Sequence, residues 1–238
     1  MPDLATQPKP LGFKNYGSIG HLPCSRMGPG DHAVPQGMAD IATMKTRDKH
    51  DRVWVTEKLD GSNVGVAVIN GEVIALGRAG YLAKTSKYEQ HQLFAEWVQK
   101  NEHRFRVLLG DGTRCVGEWL AQAHGTRYEL KHEPFVIFDL MLGQKRFPWE
   151  QAQFSIGISG FIHPHLLNDG QHPMSVEDAI GKAERDNAHG ADGIEGAVWR
   201  VERKGEFDFM AKYVKPWKVD GALLPEMSNG DAVWNWRP

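Results

Sequence analysis

The chain has 238 residues and a nearly balanced charge, with 28 Lys and Arg against 30 Asp and Glu. This balance excludes a strongly basic nucleic-acid coat and an acidic tail, and a hydrophobic fraction of 41% is typical of a globular protein. Two cysteines, Cys24 and Cys115, are too few for a disulfide framework. No stretch approaches the roughly 18 apolar residues of a membrane-spanning helix. We therefore expect a cytoplasmic protein with reduced thiols and no membrane span.

The first fifty residues differ in character from the rest. Residues 1–50 contain many Gly and Pro and little hydrophobic periodicity. A free loop of that length is unusual in a compact domain, so we expect an irregular N-terminal segment that packs on the core. Periodic sequence continues from 51 to 218, which predicts one main domain, and residues 219–238 are expected to form a short C-terminal tail.

The main segment combines short β-rich runs with two helical stretches. Residues 53–55 predict a strand, and the runs 64–69 and 72–76 predict a hairpin, because Asn70-Gly71 between them suits turn positions with positive φ. Further strands are predicted at 114–120, 135–141, 197–201 and 209–214, and helices at 86–104 and from an N-cap at Ser175 to about Gly190. This pattern indicates an α+β fold of mostly antiparallel strands.

The most informative stretch is Lys58-Leu59-Asp60-Gly61, which places an amine, a carboxylate and a glycine where one strand ends and the next begins. A lysine is a useful covalent nucleophile only when burial or a nearby cation lowers its pKa. Alone, this pattern is weak and equally suits a surface turn. Further residues come after it in order: Arg78 after the hairpin, Glu118 and Phe138 within strands, Glu195 before Gly196-Ala197-Val198, and then Lys212 and Lys215.

This ordered set resembles the signature of the covalent nucleotidyltransferase superfamily, which comprises polynucleotide ligases and mRNA-capping enzymes. The signature consists of Lys-x-Asp-Gly, a Glu in a mid-chain strand, an aromatic strand, Glu-Gly-x-Val and a terminal lysine pair, and it spans residues 53–218 here. The resemblance implies a nucleotidyltransferase domain of mostly antiparallel sheets flanked by helices. The chain departs from it at Val214, where a second lysine is usual, so that either Lys212 alone or also Lys215, from a bulged strand, reaches the phosphate.

The resemblance also implies a role for each matching residue. Lys58 would attack the α-phosphorus of ATP, form a lysyl-AMP adduct and release pyrophosphate. Glu195 and Asp60 would hold the metal, and carboxylate ligands favour Mg²⁺ or Mn²⁺. The implied nucleotide-binding residues are Glu57 at the adenine, Asp60 and Gly61 near the adduct, Arg78 and Glu118 at the ribose, Phe138 stacked on the base, and Glu195, Lys212 and Lys215 near the phosphate.

The short length of chain beyond the terminal motif predicts the subgroup. DNA ligases and capping enzymes usually carry an oligonucleotide-binding (OB) fold there, but only about twenty residues lie beyond Lys218, too few for its five strands. We therefore expect no C-terminal OB-fold domain, which favours an RNA ligase, and residues 16–23 also resemble the opening of RNA-ligase-type proteins. The predicted partners are ATP and RNA ends, a 5′-phosphate and a 3′-hydroxyl, and no protein partner is indicated.

Two alternatives remain open. The chain could be the core of a DNA ligase or capping-type guanylyltransferase that works with a domain in trans, or a catalytically silent module that binds nucleotide or nucleic-acid ends. Nick sealing and single-strand joining are not distinguished.

Residues 199–218 interleave basic and aromatic side chains, which suits RNA contact and equally a core strand pair. His124 and Arg127 could face the substrate, but we favour surface loop positions for both.

Overall fold

The computed structural model describes residues 9–238, which divide between two compact units. Unit 1 contains the described residues up to Gly17, with Ser62–Trp119 and Phe135–His163. Unit 2 contains Ser18–Gly61, Leu120–Pro134 and Pro164–Pro238. Each unit holds one five-stranded sheet. Within residues 9–238, no helix is both long and apolar enough to cross a bilayer.

The described chain contains ten strands and six α-helices. The strands are β1 (Gly20–His21), β2 (Asp51–Lys58), β3 (Ser62–Ile69), β4 (Glu72–Gly77), β5 (Thr113–Trp119), β6 (Phe135–Leu142), β7 (Lys145–Arg146), β8 (Leu166–Gly170), β9 (Gly196–Arg203) and β10 (Glu206–Val214). The helices are α1 (Gln36–Thr43), α2 (Glu89–Lys100), α3 (Glu102–Leu108), α4 (Trp149–Ile158), α5 (Val176–Asp186) and α6 (Pro225–Ser228). This arrangement confirms the predicted α+β class.

The sheet of unit 2 has the strand order β1-β10-β9-β2-β8, in which the β1–β10 pair is parallel and the others are antiparallel. Helices α1 and α5 contribute Ala42, Ala179 and other small side chains to the core that covers Val55 and Trp199. The β2–β9 register places Lys58 opposite Gly196. The last residue of β2 therefore lies beside the first residue of β9.

The sheet of unit 1 has the order β4-β3-β5-β6-β7 and is antiparallel throughout. Asn70 and Gly71 have φ values of 51° and 76°, as the predicted β3–β4 hairpin turn requires. The face of α2 that carries Phe94, Trp97 and Val98 is buried. The ring of Trp97 contacts those of Phe105, Trp119, Phe135 and Phe161.

The helix predicted over 86–104 is in fact two helices. The amide of Asn101 donates to the Trp97 carbonyl oxygen at 2.9 Å, and its Oδ1 accepts from Arg104 Nη1 at 3.0 Å. Such side-chain contacts with the local backbone compete with helix continuation. Asn101 thus ends α2 and precedes α3.

The hydrophobic pattern did not predict several other elements. Helix α1 lies inside the segment predicted to be irregular, and α4 and β8 were not predicted. Helix α4 buries Trp149 and Ile156 but exposes Phe154 and Ile158, so its apolar residues do not mark one face. Helix α5 begins after the predicted N-cap Ser175, whose Oγ accepts from the Asp178 backbone N–H at 3.1 Å. It ends at Asp186 rather than near Gly190, because Asn187 adopts the left-handed conformation.

Candidate active site

Lys58 and Glu195 form a close ion pair in unit 2. Lys58 Nζ lies 2.6 Å from Glu195 Oε2, and the two side chains are 22% and 6% exposed. Burial raises the pKa of Glu195 to about 7, although the Lys58 ammonium opposes this. The contact arises because β2 ends at Lys58 and β9 begins just after Glu195. An amine that can act as a nucleophile is therefore held against a buried carboxylate.

Asp60 is fixed by hydrogen bonds at both its backbone and its side chain. Its backbone N–H donates to Tyr128 Oη at 2.9 Å, and its Oδ2 accepts from the Gly125 backbone N–H at 2.9 Å. Burial raises the pKa of Tyr128 well above its ordinary value, so the phenol stays neutral. Gly61 comes next in the same connection, directly before β3. This connection therefore has a defined conformation next to Lys58.

The segment that carries Gly125 is anchored by the C-terminal residues. Asn235 Oδ1 accepts from the Tyr128 backbone N–H at 3.0 Å, and the Leu223 backbone N–H donates to the His124 carbonyl oxygen at 2.6 Å. Arg127 is exposed, as predicted, but His124 is half-buried, so its prediction as a surface residue was wrong. Burial lowers the pKa of His124, while Asp60 opposes this. No local sequence pattern indicated that His124 lies near Asp60.

Glu57, which precedes the lysine, contacts two other parts of unit 2. Its Oε1 accepts from the His165 backbone N–H at 3.1 Å and lies 2.6 Å from His189 Nε2. His189 Nδ1 in turn lies 2.6 Å from His132 Nε2. Sequence reasoning did not connect these histidines with Glu57, because they are distant from it along the chain. Contacts inside unit 2 thus fix the carboxylate predicted to lie at the adenine.

The two C-terminal lysines have different surroundings. Lys212 lies on β10, with its Nζ 3.6 Å from Asp31 Oδ1. The Lys215 ammonium contacts Glu184 of α5, and its backbone N–H donates to the Glu195 carbonyl oxygen at 3.0 Å. The structure does not support the bulged-strand alternative for Lys215, because β10 ends at Val214 and its register irregularity lies between Phe207 and Phe209.

Unit 1 carries Arg78, Glu118 and Phe138. Glu118 is half-buried on β5, opposite Val136 of β6. A register irregularity places Phe138 between the pairs Val116–Asp139 and Gly117–Ile137, which is the arrangement of a β-bulge. Bulges change the direction of a side chain, so this one decides where the ring of Phe138 points.

Tyr16 connects the segments of Arg78 and Phe138 within unit 1. Its ring meets the Phe138 ring edge-on at a centroid distance of 5.3 Å, and its backbone N–H donates to the Arg78 carbonyl oxygen at 3.3 Å. Its hydroxyl donates to Asp139 Oδ2 at 3.1 Å, and Arg146 Nε donates to the same oxygen at 2.6 Å. Tyr16 opens the run that resembles RNA-ligase-type proteins, whereas nothing in the sequence singled out Asp139 or Arg146.

The predicted metal ligands, Glu195 and Asp60, can be tested against their surroundings. In the described residues, no group of three or more His, Cys, Asp or Glu side chains could hold a metal ion. Mg²⁺ in nucleotide sites usually keeps several waters and binds one or two carboxylates together with substrate phosphates. One or two carboxylates near Lys58 therefore fit a hydrated ion that takes its other ligands from phosphate and water.

The fold and the order of its motifs define a protein of the covalent nucleotidyltransferase superfamily. The model of the family described as RNA ligase matches residues 51–214, more than half of the chain. The chain therefore belongs to the RNA ligase family. No curated protein matches it.

Solved RNA ligases share the fold at low identity. A mutant of the Naegleria gruberi RNA ligase with ATP and Mn superposes with a TM-score of 0.52 and 15% identity, over 82% of this chain and 59% of that one. Another mutant of the same enzyme, with AMP and Mn, superposes with a TM-score of 0.51 and 16% identity, over 85% of this chain and 60% of that one. An archaeal ATP-dependent RNA ligase gives a TM-score of 0.44 and 21% identity, over 69% of this chain and 42% of that one. The chain thus spans between 42% and 60% of the length of these proteins.

Proposed function

We propose that this protein is an ATP-dependent RNA ligase that works through a lysyl-AMP intermediate. The observation that carries the proposal is the 2.6 Å contact between Lys58 Nζ and Glu195 Oε2 at the ends of neighbouring strands. Membership of the RNA ligase family supports RNA as the strand that is joined. The Naegleria gruberi structures with ATP or AMP and Mn support an adenine nucleotide and a divalent ion.

In the first step, Lys58 Nζ attacks the α-phosphorus of ATP. A nitrogen–phosphorus bond forms, the bond from that phosphorus to the bridging oxygen breaks, and pyrophosphate leaves. The attacking amine must be neutral, and Glu195 is close enough to orient it and to accept its proton. Lys212 would stabilise the negative charge on the phosphate oxygens. Mg²⁺ or Mn²⁺, held by Glu195 and Asp60, would add positive charge beside the α-phosphate.

In the second step, the AMP passes from Lys58 to a 5′-phosphate end, and the lysine amine is released. In the third step, a 3′-hydroxyl attacks the activated 5′-phosphorus, a phosphodiester bond forms and AMP leaves. The remaining residues would bind the nucleotide, with Glu57 at the adenine, Gly61 at the phosphate, Arg78 and Glu118 at the ribose, Phe138 stacked on the base, and Lys215 as a second candidate for the phosphate.

Covalent labelling tests the first step. The protein is incubated with ATP carrying a labelled α-phosphate and with Mg²⁺ or Mn²⁺, and then denatured. We expect an acid-labile covalent label on the wild type and none on Lys58→Ala, because a phosphoramidate needs the amine. Lys45→Ala removes an exposed lysine and should label like the wild type. An unlabelled wild type, or a labelled Lys58→Ala, would overturn the proposal.

A substrate panel tests the strand and the later steps. Nicked duplex RNA, single-stranded RNA, nicked DNA and RNA–DNA hybrids are offered to the adenylylated protein. We expect RNA 5′-phosphate ends to be joined. Joining of DNA nicks alone would favour the DNA ligase alternative, and labelling by GTP rather than ATP would favour a guanylyltransferase. Tight ATP binding without an adduct would favour a silent binding module.

A further inference from the structure

The segment from Gly20 to Asp31 lies beside the end of β10, and the reaction proposed above does not use it. Strand β1 runs parallel to β10, with Gly20 opposite Ala211 and His21 opposite Lys212. The Leu22 backbone N–H donates to the Lys212 carbonyl oxygen at 2.8 Å. This pairing brings a histidine next to the lysine assigned to the phosphate.

His21 is held at both nitrogens of its ring. Its side chain is 1% exposed, with Nε2 3.1 Å from Asp31 Oδ2 and Nδ1 2.7 Å from Ser25 Oγ. Burial, and then the positive charge of Lys212, lowers the pKa of His21, so the ring is neutral near pH 7. A neutral imidazole donates from one nitrogen and accepts at the other. Nδ1 is hydrogen-bonded to the Ser25 hydroxyl, and Nε2 lies against the Asp31 carboxylate without hydrogen-bond geometry.

Asp31 is fixed on one side and faces Lys212 on the other. Its Oδ2 also accepts from the Gly28 backbone N–H at 2.9 Å, and this hydrogen bond lowers the pKa of Asp31, so the carboxylate stays charged. Its Oδ1 lies 3.6 Å from Lys212 Nζ. The Gly28 hydrogen bond and the contact with the His21 ring thus restrict the Asp31 carboxylate, and its second oxygen faces the ammonium of Lys212.

The contacts form a path that begins and ends on β10. The Val214 backbone N–H donates to Ser25 Oγ at 3.0 Å, and the path continues through His21 and Asp31 to Lys212. A lysine side chain is a flexible four-carbon stem with three rotatable donors. Contact with a fixed carboxylate restricts this stem.

We propose that His21 and Asp31 are positioning residues that hold the Lys212 ammonium for the α-phosphate. This inference rests on the proposed function, because it takes Lys212 as a phosphate ligand. Asp31 is itself negative and does not attract ATP. Its contribution is therefore to the geometry of the transition state, which affects the rate of adenylyl transfer rather than the affinity for ATP.

The test measures the single-turnover rate constant of self-adenylylation at several ATP concentrations. We expect Asp31→Asn, which keeps the shape but removes the charge, to lower the maximal rate constant about tenfold. The ATP concentration at half-maximal rate should not rise, because a negative charge beside the phosphate has been removed. A partly misfolded sample would label a smaller fraction of molecules without changing the rate constant of those that label.

Two further variants complete the design. His21→Gln keeps a polar side chain beside Asp31 and should lower the rate constant less than His21→Ala does. Asp48→Asn is the matched control, because Asp48 also pairs with a basic side chain, Arg203, at 2.6 Å, but near the opposite end of β2. The rate constant of Asp48→Asn should stay within about twofold of that of the wild type.

The outcomes separate the two proposals. A wild type that does not label contradicts the proposed function itself. A wild type that labels, with Asp31→Asn at the same rate constant, overturns the positioning role alone, and so does a loss that appears only as weaker ATP binding. If Asp31→Asn does not fold, the two His21 variants make the same comparison, and equal rate constants for them would overturn the inference.

Discussion

Glu57 Oε1 and His189 Nε2 lie 2.6 Å apart, and the two side chains are only 3% and 6% exposed. The other nitrogen of His189 faces His132 Nε2 at 2.6 Å, and His132 Nδ1 faces the Glu133 carbonyl oxygen at 2.6 Å. Because a carbonyl oxygen only accepts, a neutral His132 carries its proton on Nδ1. His189 Nδ1 must then donate to His132, and His189 Nε2 faces the Glu57 carboxylate. Glu57 is therefore packed against a pair of connected histidines, next to the proposed nucleophile.

We predict that His189→Ala lowers the free energy of unfolding by about 3 kcal/mol at pH 7, because the buried Glu57 carboxylate loses the imidazole that lies against it and the removed ring leaves a cavity. Urea denaturation measures this change. His189→Gln keeps a hydrogen-bond donor and should lower the free energy of unfolding less than His189→Ala does. Combining His189→Ala with Glu57→Gln should recover part of the loss, since no buried charge remains. Equal stability of His189→Ala and the wild type would contradict the assigned pair.

A second prediction concerns acid stability. Asp51 is buried between Arg47 and Arg203, with N–O distances of 2.8 and 2.7 Å. Burial acts to raise the pKa of Asp51, but hydrogen bonds from the two arginines outweigh it, so the pKa lies below its ordinary value. A carboxyl whose pKa is lower in the folded state stabilises the fold above its unfolded pKa. That stability is lost as the pH falls through the folded pKa.

The expected result is that Asp51→Asn loses about 3 kcal/mol of unfolding free energy at pH 7. The difference from the wild type should shrink as the pH falls below about 4. Urea denaturation at a series of pH values measures both. Asp192→Asn, at an exposed position, serves as the control. A difference that stays constant or grows toward low pH would show that the charge of Asp51 is not responsible.

A third prediction concerns Gly196, the residue after Glu195. A Cβ at Gly196 would overlap the carbonyl oxygen of Tyr213 on the neighbouring strand, so β9 and β10 would have to separate there. We expect Gly196→Ala to displace Glu195 and to lower covalent labelling at least about tenfold. Gly37→Ala, where an added Cβ meets nothing within 4 Å, should label normally and stabilise α1 by up to about 1 kcal/mol. Normal labelling by Gly196→Ala would refute this explanation.

A fourth prediction separates RNA binding from nucleotide chemistry. Trp217 is 72% exposed, and Lys215 Nζ lies 5.5 Å from the centroid of its ring. An exposed aromatic ring beside a cation suits base stacking. We expect Trp217→Ala to keep self-adenylylation within about twofold but to lower RNA joining about tenfold. The control is Phe154→Ala, which removes an exposed aromatic on α4. An equal loss of joining in both variants would argue against a stacking role.

Elements decided by a few neighbouring residues were predictable from the sequence. Asn70-Gly71 forms the expected turn because both residues tolerate positive φ, and Ser175 caps α5 because its hydroxyl reaches the Asp178 backbone N–H. The ordered motifs predicted the superfamily, which the match over residues 51–214 confirms. Helix α4 was missed because its apolar residues lie on more than one face.

By itself, the sequence determined the order of the motifs, the end of β2 at Lys58 and the local turns and caps. Only the tertiary structure decided which side chains meet. Lys58 and Glu195 are 137 residues apart, and their contact depends on the β2–β9 register. The contact of Asp31 with Lys212 likewise depends on the parallel pairing of β1 with β10. The physical reason is that hydrogen-bond partners, burial and the resulting pKa depend on strand register and packing between distant segments, which periodicity along the chain does not specify.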